Sequence, residues 1–110
     1  MKKALYGLVV LLLFSVVQFN VSDTFADKIG YKKIFTNNCQ KCHGKDGKGT
    51  KRGKGLGVPN FTDSEWQDAT TDKQMITAIT NGKKKMPKQG HKLSPEEIKA
   101  VVKYIRFFAP

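Results

Sequence analysis

Cysteine and acidic side chains are the scarce components of this chain: it has two cysteines, Cys39 and Cys42, and nine Asp and Glu against 20 Lys and Arg. With no third cysteine and with His43 and His91 as the only histidines, the four-ligand shell of a structural zinc site is hard to assemble. No stretch alternates polar and apolar residues with period two for long enough to suggest strands, and there is no internal repeat. A G-x-G-x-x-G with a flanking strand and a Walker pattern are both missing, which removes the usual phosphate-cradling loops. The longest apolar run, Ala4 to Val17, has 14 residues, short of the roughly 18 to 20 that cross a bilayer. These absences leave one domain of all-α class.

The N-terminus reads as an export signal. Met1-Lys2-Lys3 is a short positive region, Ala4 to Val17 is nearly all apolar, and Thr24-Phe25-Ala26 places small residues where a signal peptidase reads them. Residues 1–26 are therefore expected to be a signal peptide cleaved after Ala26, an uncleaved anchor being the alternative, and residues 27–110 the mature domain in the periplasm. Cleavage removes Lys2, Lys3 and Asp23 and takes the formal charge from +11 to +10. A field of that size steers a protein towards acidic proteins or an anionic membrane surface. Nucleic acid is a poor fit, because an exported protein rarely meets it and the lysines are spread along the whole chain.

Along the mature chain, 27–38 is predicted as a first helix burying Ile29, Ile34 and Phe35, and running directly into Cys39. The stretch 44–59 interleaves six glycines with five basic residues and is expected to be an irregular loop. Thr62 or Asp63 caps a short turn leading to Trp66, the one tryptophan. Thr71-Asp72-Lys73-Gln74 is a capping box opening a helix of about ten residues that ends at Asn81-Gly82, with Met75 in its apolar stripe. Ser94-Pro95-Glu96-Glu97 opens the last helix with a cap and an N1 proline, and Ile98, Val101, Val102, Ile105 and Phe108 form one apolar face.

The chemistry concentrates in Cys39-Gln40-Lys41-Cys42-His43. C-x-x-C-H is the arrangement that attaches c-type haem, two thiols adding to the porphyrin vinyl groups and the imidazole reaching the iron. A plain disulfide is the competing reading, since an oxidising compartment would leave a bare C-x-x-C bonded; a thioredoxin-like pair lacks its βαβ setting. Met86 stands alone in Lys83-Lys84-Lys85-Met86-Pro87-Lys88, a proline-punctuated loop from which a thioether can approach iron from the other face. His91 is the rival for that position. With haem bound, the Trp66 ring would stack near the macrocycle with its indole N–H towards a propionate; without haem it is core. A mature chain of 84 residues has a thin core, which a buried cofactor would complete.

Taken together, C-x-x-C-H, the glycine-rich loop, Pro59-Asn60-Phe61, Met86-Pro87 and the terminal helix resemble a small monohaem class I c-type cytochrome, over essentially all of residues 27–110. The resemblance implies three to four helices around one covalently attached haem c, with the first and last helices crossing at Phe35 and Tyr104. It implies thioethers from Cys39 and Cys42, His43 as proximal ligand, Met86 as distal ligand, and a Pro59 carbonyl accepting the imidazole N–H. The implied activity is one-electron transfer between redox proteins with no substrate transformed, in transient complexes docked through lysines. The alternative is a haem subunit of an enzyme complex, or a ligand-binding cytochrome in which Met86 is displaced. Two departures stand out: Tyr31 occupies the position eight residues before Cys39 where the family commonly has glycine, and the interval from His43 to Pro59 is long.

Overall fold

Capping residues and glycines set where the helices start and stop. A computed structural model describes residues 29–110; the expected signal segment, its cleavage point and residues 27–28 lie outside the described residues. The helices are α1 (Tyr31–Asn38), α2 (Gln40–His43), α3 (Lys51–Gly55), α4 (Ser64–Ala69), α5 (Asp72–Asn81) and α6 (Pro95–Arg106). Among the described residues there is no strand, only an isolated bridge between Lys83 and Met86. The all-α expectation holds. The helix number exceeds three to four because α2 and α3 are single turns of four and five residues.

The two capping boxes form as read. Thr71 and Gln74 exchange side-chain and backbone hydrogen bonds at 2.9 and 3.1 Å, and Ser94 and Glu97 do the same at 2.9 and 3.1 Å. Each satisfies two N–H groups that a helix start leaves unpaired. α5 stops at Gly82, whose φ of 80° suits glycine. α1 ends at Asn38 as expected and differs from expectation at its start. Gly30 adopts φ 70°, a left-handed turn that separates helical Ile29 from α1, which begins at Tyr31. At its other end Cys39 leaves helical geometry (φ −123°, ψ −36°), and the chain re-enters a helix as α2. The attachment motif thus has its own turn instead of extending α1.

α1 packs across α6, and α5 packs on α6 beside it. At the crossing the Phe35 and Tyr104 rings meet edge to face, 5.0 Å apart, and the Tyr31 ring lies 5.2 Å from Tyr104. Tyr31, at the position where the family commonly has glycine, is buried against Ala100, whose small side chain leaves room for the ring. The main core joins Phe35, Ile98 and Val101 to Cys39, Phe61, Met75, Ile79 and Leu93. Full burial of side chains of this size stabilises by about 1.5–3 kcal/mol each. No helix among the described residues is long and apolar enough to cross a membrane.

Candidate haem site

The site is built from α2 outwards. Cys39 begins it as a core residue, and burial pushes its thiol up to about 11. Cys42 is half-buried, and both thiols are free, so the C-x-x-C is not a disulfide here. His43 ends α2, buried, and burial alone lowers its pKa, holding the imidazole in the neutral form that ligates metal. Among the described residues there is no cluster of three or more His, Cys, Asp or Glu side chains that could hold a metal ion.

The glycine-rich stretch folds back onto α2. A helix of four residues leaves its last carbonyls without partners, and this loop supplies them. Gly49 N–H donates to the His43 carbonyl at 2.8 Å, Thr50 N–H to the Cys42 carbonyl at 2.9 Å, and the Thr50 hydroxyl to the Lys41 carbonyl at 2.8 Å. The same hydroxyl caps α3 by accepting the Gly53 N–H at 3.0 Å. The expected irregular loop therefore contains a helix, started by Thr50. Gly53 is where α3 touches α2: a Cβ there would overlap the Cys42 carbonyl. Gly53 thus lies against the backbone of the attachment turn.

Phe61 completes the His43 side. Its ring stacks on the imidazole at 4.7 Å and 15°, and its N–H donates to the Gly47 carbonyl at 2.9 Å. Trp66 packs on the other rings here, 5.1 Å from Phe61, and is half-buried. Beneath them Gln67 is buried, its Nε2 donating to the Phe61 carbonyl at 2.8 Å and to the Ile105 carbonyl at 3.0 Å. Arg106 locks the arrangement. Its guanidinium donates to the Gln67 carbonyl and Oε1 at 2.7 and 2.8 Å, to the Thr70 carbonyl at 2.6 Å, and to Asp72 at 2.9 Å. Pro59 is half-buried two residues before Phe61. The role implied for its carbonyl is not filled: His43 Nδ1 is buried and has no hydrogen-bond partner among the described residues.

Met86 sits in a tight turn in which Lys83 and Met86 exchange both backbone hydrogen bonds, at 3.1 and 2.9 Å. Lys84, inside that turn, takes φ 54°, a conformation that costs a non-glycine residue about 1 kcal/mol. The Met86 side chain is half-buried and packs against the main core, the same cluster that holds Cys39 and Phe61. His91 is exposed. The main core thus includes Cys39, with Trp66 and Met86 packed against it and His43 stacked on its Phe61, while Cys42 is half-buried on α2 and His91 is exposed. A buried neutral imidazole with an orphaned nitrogen, two free thiols and a core-facing thioether fit a haem.

Comparison with known proteins decides the family. Residues 30–105 match the family described as cytochrome c oxidase, cbb3-type, subunit III. The chain belongs to this family of c-type cytochromes. The cytochrome is 42% identical over 84 residues to the cbb3-type cytochrome c oxidase subunit FixP of Azorhizobium caulinodans, a match covering 76% of this chain and 27% of FixP. It is 37% identical to cytochrome c6 of Anabaena variabilis, over 73% of this chain and 90% of that protein. Among solved structures the KustC0563 c-type cytochrome matches at 42% identity with a TM-score of 0.69, covering 71% of this chain and 95% of that one. The cytochrome therefore spans about a quarter of the length of its FixP relative. As a c-type cytochrome it takes covalently bound haem c, and Cys39 and Cys42 are the two thiols with the attaching spacing.

Gln67, Arg106 and Thr50 were not singled out from the sequence. Gln67 and Arg106 act across 36 to 39 residues, a pairing that no local pattern encodes. Threonine is a favoured N-cap residue, but Lys51–Gly55 has no apolar periodicity to announce the helix that Thr50 caps.

Proposed function

We propose that this cytochrome is a monohaem one-electron carrier exported to the periplasm, with His43 and Met86 as axial ligands and haem c held by Cys39 and Cys42. The observation that carries the reading is the one-turn helix α2, which presents two free thiols and ends in a buried neutral imidazole. Haem supplies the Fe(III)/Fe(II) couple. The protein's part is to fix the imidazole by the Gly49, Thr50 and Phe61 contacts, to hold Met86 by the Lys83–Met86 turn, and to keep water from the iron. Burial of Met86 against the core and exposure of His91 support methionine over histidine. His43 and Met86 would hold the iron from the protein side and leave no open position for a substrate, which supports a carrier over an enzyme.

The basic residues 41–54 and 83–92 are exposed and flank the ligand-bearing segments, which supports docking of acidic redox proteins, or of an anionic membrane surface, through the lysines. The near full-length match to cytochrome c6 supports a free carrier. The FixP and CcoP relatives support a second reading, in which the cytochrome delivers electrons as part of a larger oxidase complex.

A spectroelectrochemical titration that follows the Met–iron charge-transfer band tests the ligands. We expect Met86→Ala to lose the band and His91→Ala to keep it; the opposite pattern overturns the assignment. Slow carbon monoxide binding by the reduced protein is expected, and rapid stoichiometric binding at neutral pH would favour a ligand-binding cytochrome.

A further inference from the structure

A hydrogen bond to the second ring nitrogen is the usual way to fix the plane of a ligating imidazole. His43 does not have it: its Nδ1 is buried with no partner among the described residues. The torsion that turns the ring is broad and roughly two-fold, so the side chain does not fix its own plane either. What lies against it is the Phe61 ring, 4.7 Å away and 15° from parallel. The plane of the imidazole is therefore only as well defined as the position of Phe61.

Phe61 is pinned at both of its backbone groups. Its N–H donates to the Gly47 carbonyl at 2.9 Å, and its carbonyl accepts from Gln67 Nε2 at 2.8 Å. Gln67 is 6% exposed, and its carboxamide is fully engaged: Nε2 gives its other hydrogen to the Ile105 carbonyl at 3.0 Å, and Oε1 accepts from Arg106 at 2.8 Å. Turned over, the amide would set its oxygen against two carbonyls and its N–H groups against the guanidinium. Arg106 thus decides which way Gln67 faces, and Arg106 is itself held by the Gln67 and Thr70 carbonyls at 2.7 and 2.6 Å. An unbroken line of contacts runs from the last turn of α6 through Gln67 and Phe61 to His43. We infer that Gln67, oriented by Arg106, is a positioning residue that sets the plane of the His43 imidazole through Phe61, in place of a hydrogen bond to Nδ1. Both residues act through the Phe61 ring and ligate nothing. An imidazole held in one plane does not have to rotate when an electron arrives or leaves, which suits the carrier role. The inference rests on the haem reading of the site.

The test is proton NMR of the holoprotein, in which the spread of the ferric haem-methyl shifts follows the plane of the axial imidazole. Gln67→Leu removes all three side-chain hydrogen bonds. Gln67→Glu keeps an acceptor for Arg106 but has no donor for the Phe61 carbonyl. Asp72→Asn removes the ion pair and leaves the carbonyl clasp in place. Wild type and Asp72→Asn are expected to share one set of haem-methyl shifts. Both Gln67 variants are expected to alter the spread or to add a second set populated to about 10% or more, with the Met–iron charge-transfer band retained. A Gln67 variant that is less stable to urea but keeps the wild-type shifts has lost only structural support, and overturns the inference. Loss of the charge-transfer band in both Gln67 variants shows that the clasp holds the whole fold and not the ring, and overturns it too. In the ferrous wild type, nuclear Overhauser contacts between the Phe61 and His43 rings are expected, as is exchange of the Gln67 carboxamide protons about tenfold or more slower than in an exposed side-chain amide. Absence of either overturns the inference without any variant. The haem reading fails separately, through a pyridine haemochrome assay that finds no haem.

Discussion

Gly53 has no room for a methyl group, because a Cβ would overlap the Cys42 carbonyl, which is itself tied to Thr50. Neither partner can yield: one is helix backbone and the other is the attachment turn that positions His43. Gly53→Ala is expected to destabilise by about 2–3 kcal/mol or more through overpacking. The measurement is the denaturant midpoint together with haem content. Gly55→Ala serves as the control, since a Cβ there meets nothing. Equal midpoints for the two variants would show that α3 does not brace α2. The same logic applies to His43, whose orphaned Nδ1 and stacking on Phe61 leave its ring held by packing. Of the residues read from sequence, Cys39, Cys42 and His43 were legible because covalent chemistry fixes their spacing. The implied Pro59 carbonyl contact was not realised, because a long connection from His43 leaves its carbonyl position to tertiary packing.

At the level of elements, α6 is the fastener. Its inner face supplies Ile98, Val101, Val102 and Ile105 to the core, and its last turn supplies Arg106 to the carbonyls at the end of α4. The ion pair with exposed Asp72 contributes little on its own. The hydrogen bonds to partly buried carbonyls and to buried Gln67 matter more, since Gln67 in turn holds the Phe61 carbonyl beside His43. Arg106→Ala is expected to cost about 2–4 kcal/mol and Asp72→Ala less than about 1 kcal/mol. Urea unfolding of the two variants measures this, and equal losses would mean that the ion pair, not the carbonyl clasp, carries the effect. The helix starts of α5 and α6 were legible because capping is a contact within four residues. The α1 start was not, because a hydrophobic pattern over 27–38 does not reveal that Gly30 turns left-handed.

At the scale of the molecule, the acidic side chains of the described residues are unevenly placed although lysines are spread along the chain. Residues 41–54 and 83–92 carry exposed lysines and Arg52 with one acid, Asp46, whereas Asp63, Glu65, Asp68 and Asp72 cluster around α4. On the proposed docking through lysines, the basic loops are expected to meet an acidic partner first. Its electron-transfer rate with such a partner is expected to fall about tenfold between low and physiological ionic strength, as the screening length shrinks from about 30 to 8 Å. Stopped-flow kinetics across salt concentrations measures it, and a flat rate would remove the docking role of the lysines. The sequence by itself determined the cofactor chemistry, the all-α class and the capped helices, because each depends on residues within a few positions of one another. Tertiary structure alone decided what the glycine-rich loop holds and that Gln67 and Arg106 fasten Phe61 beside His43. Those outcomes depend on groups far apart in the chain competing for the same buried hydrogen bonds, and only the packed fold settles which of them meet.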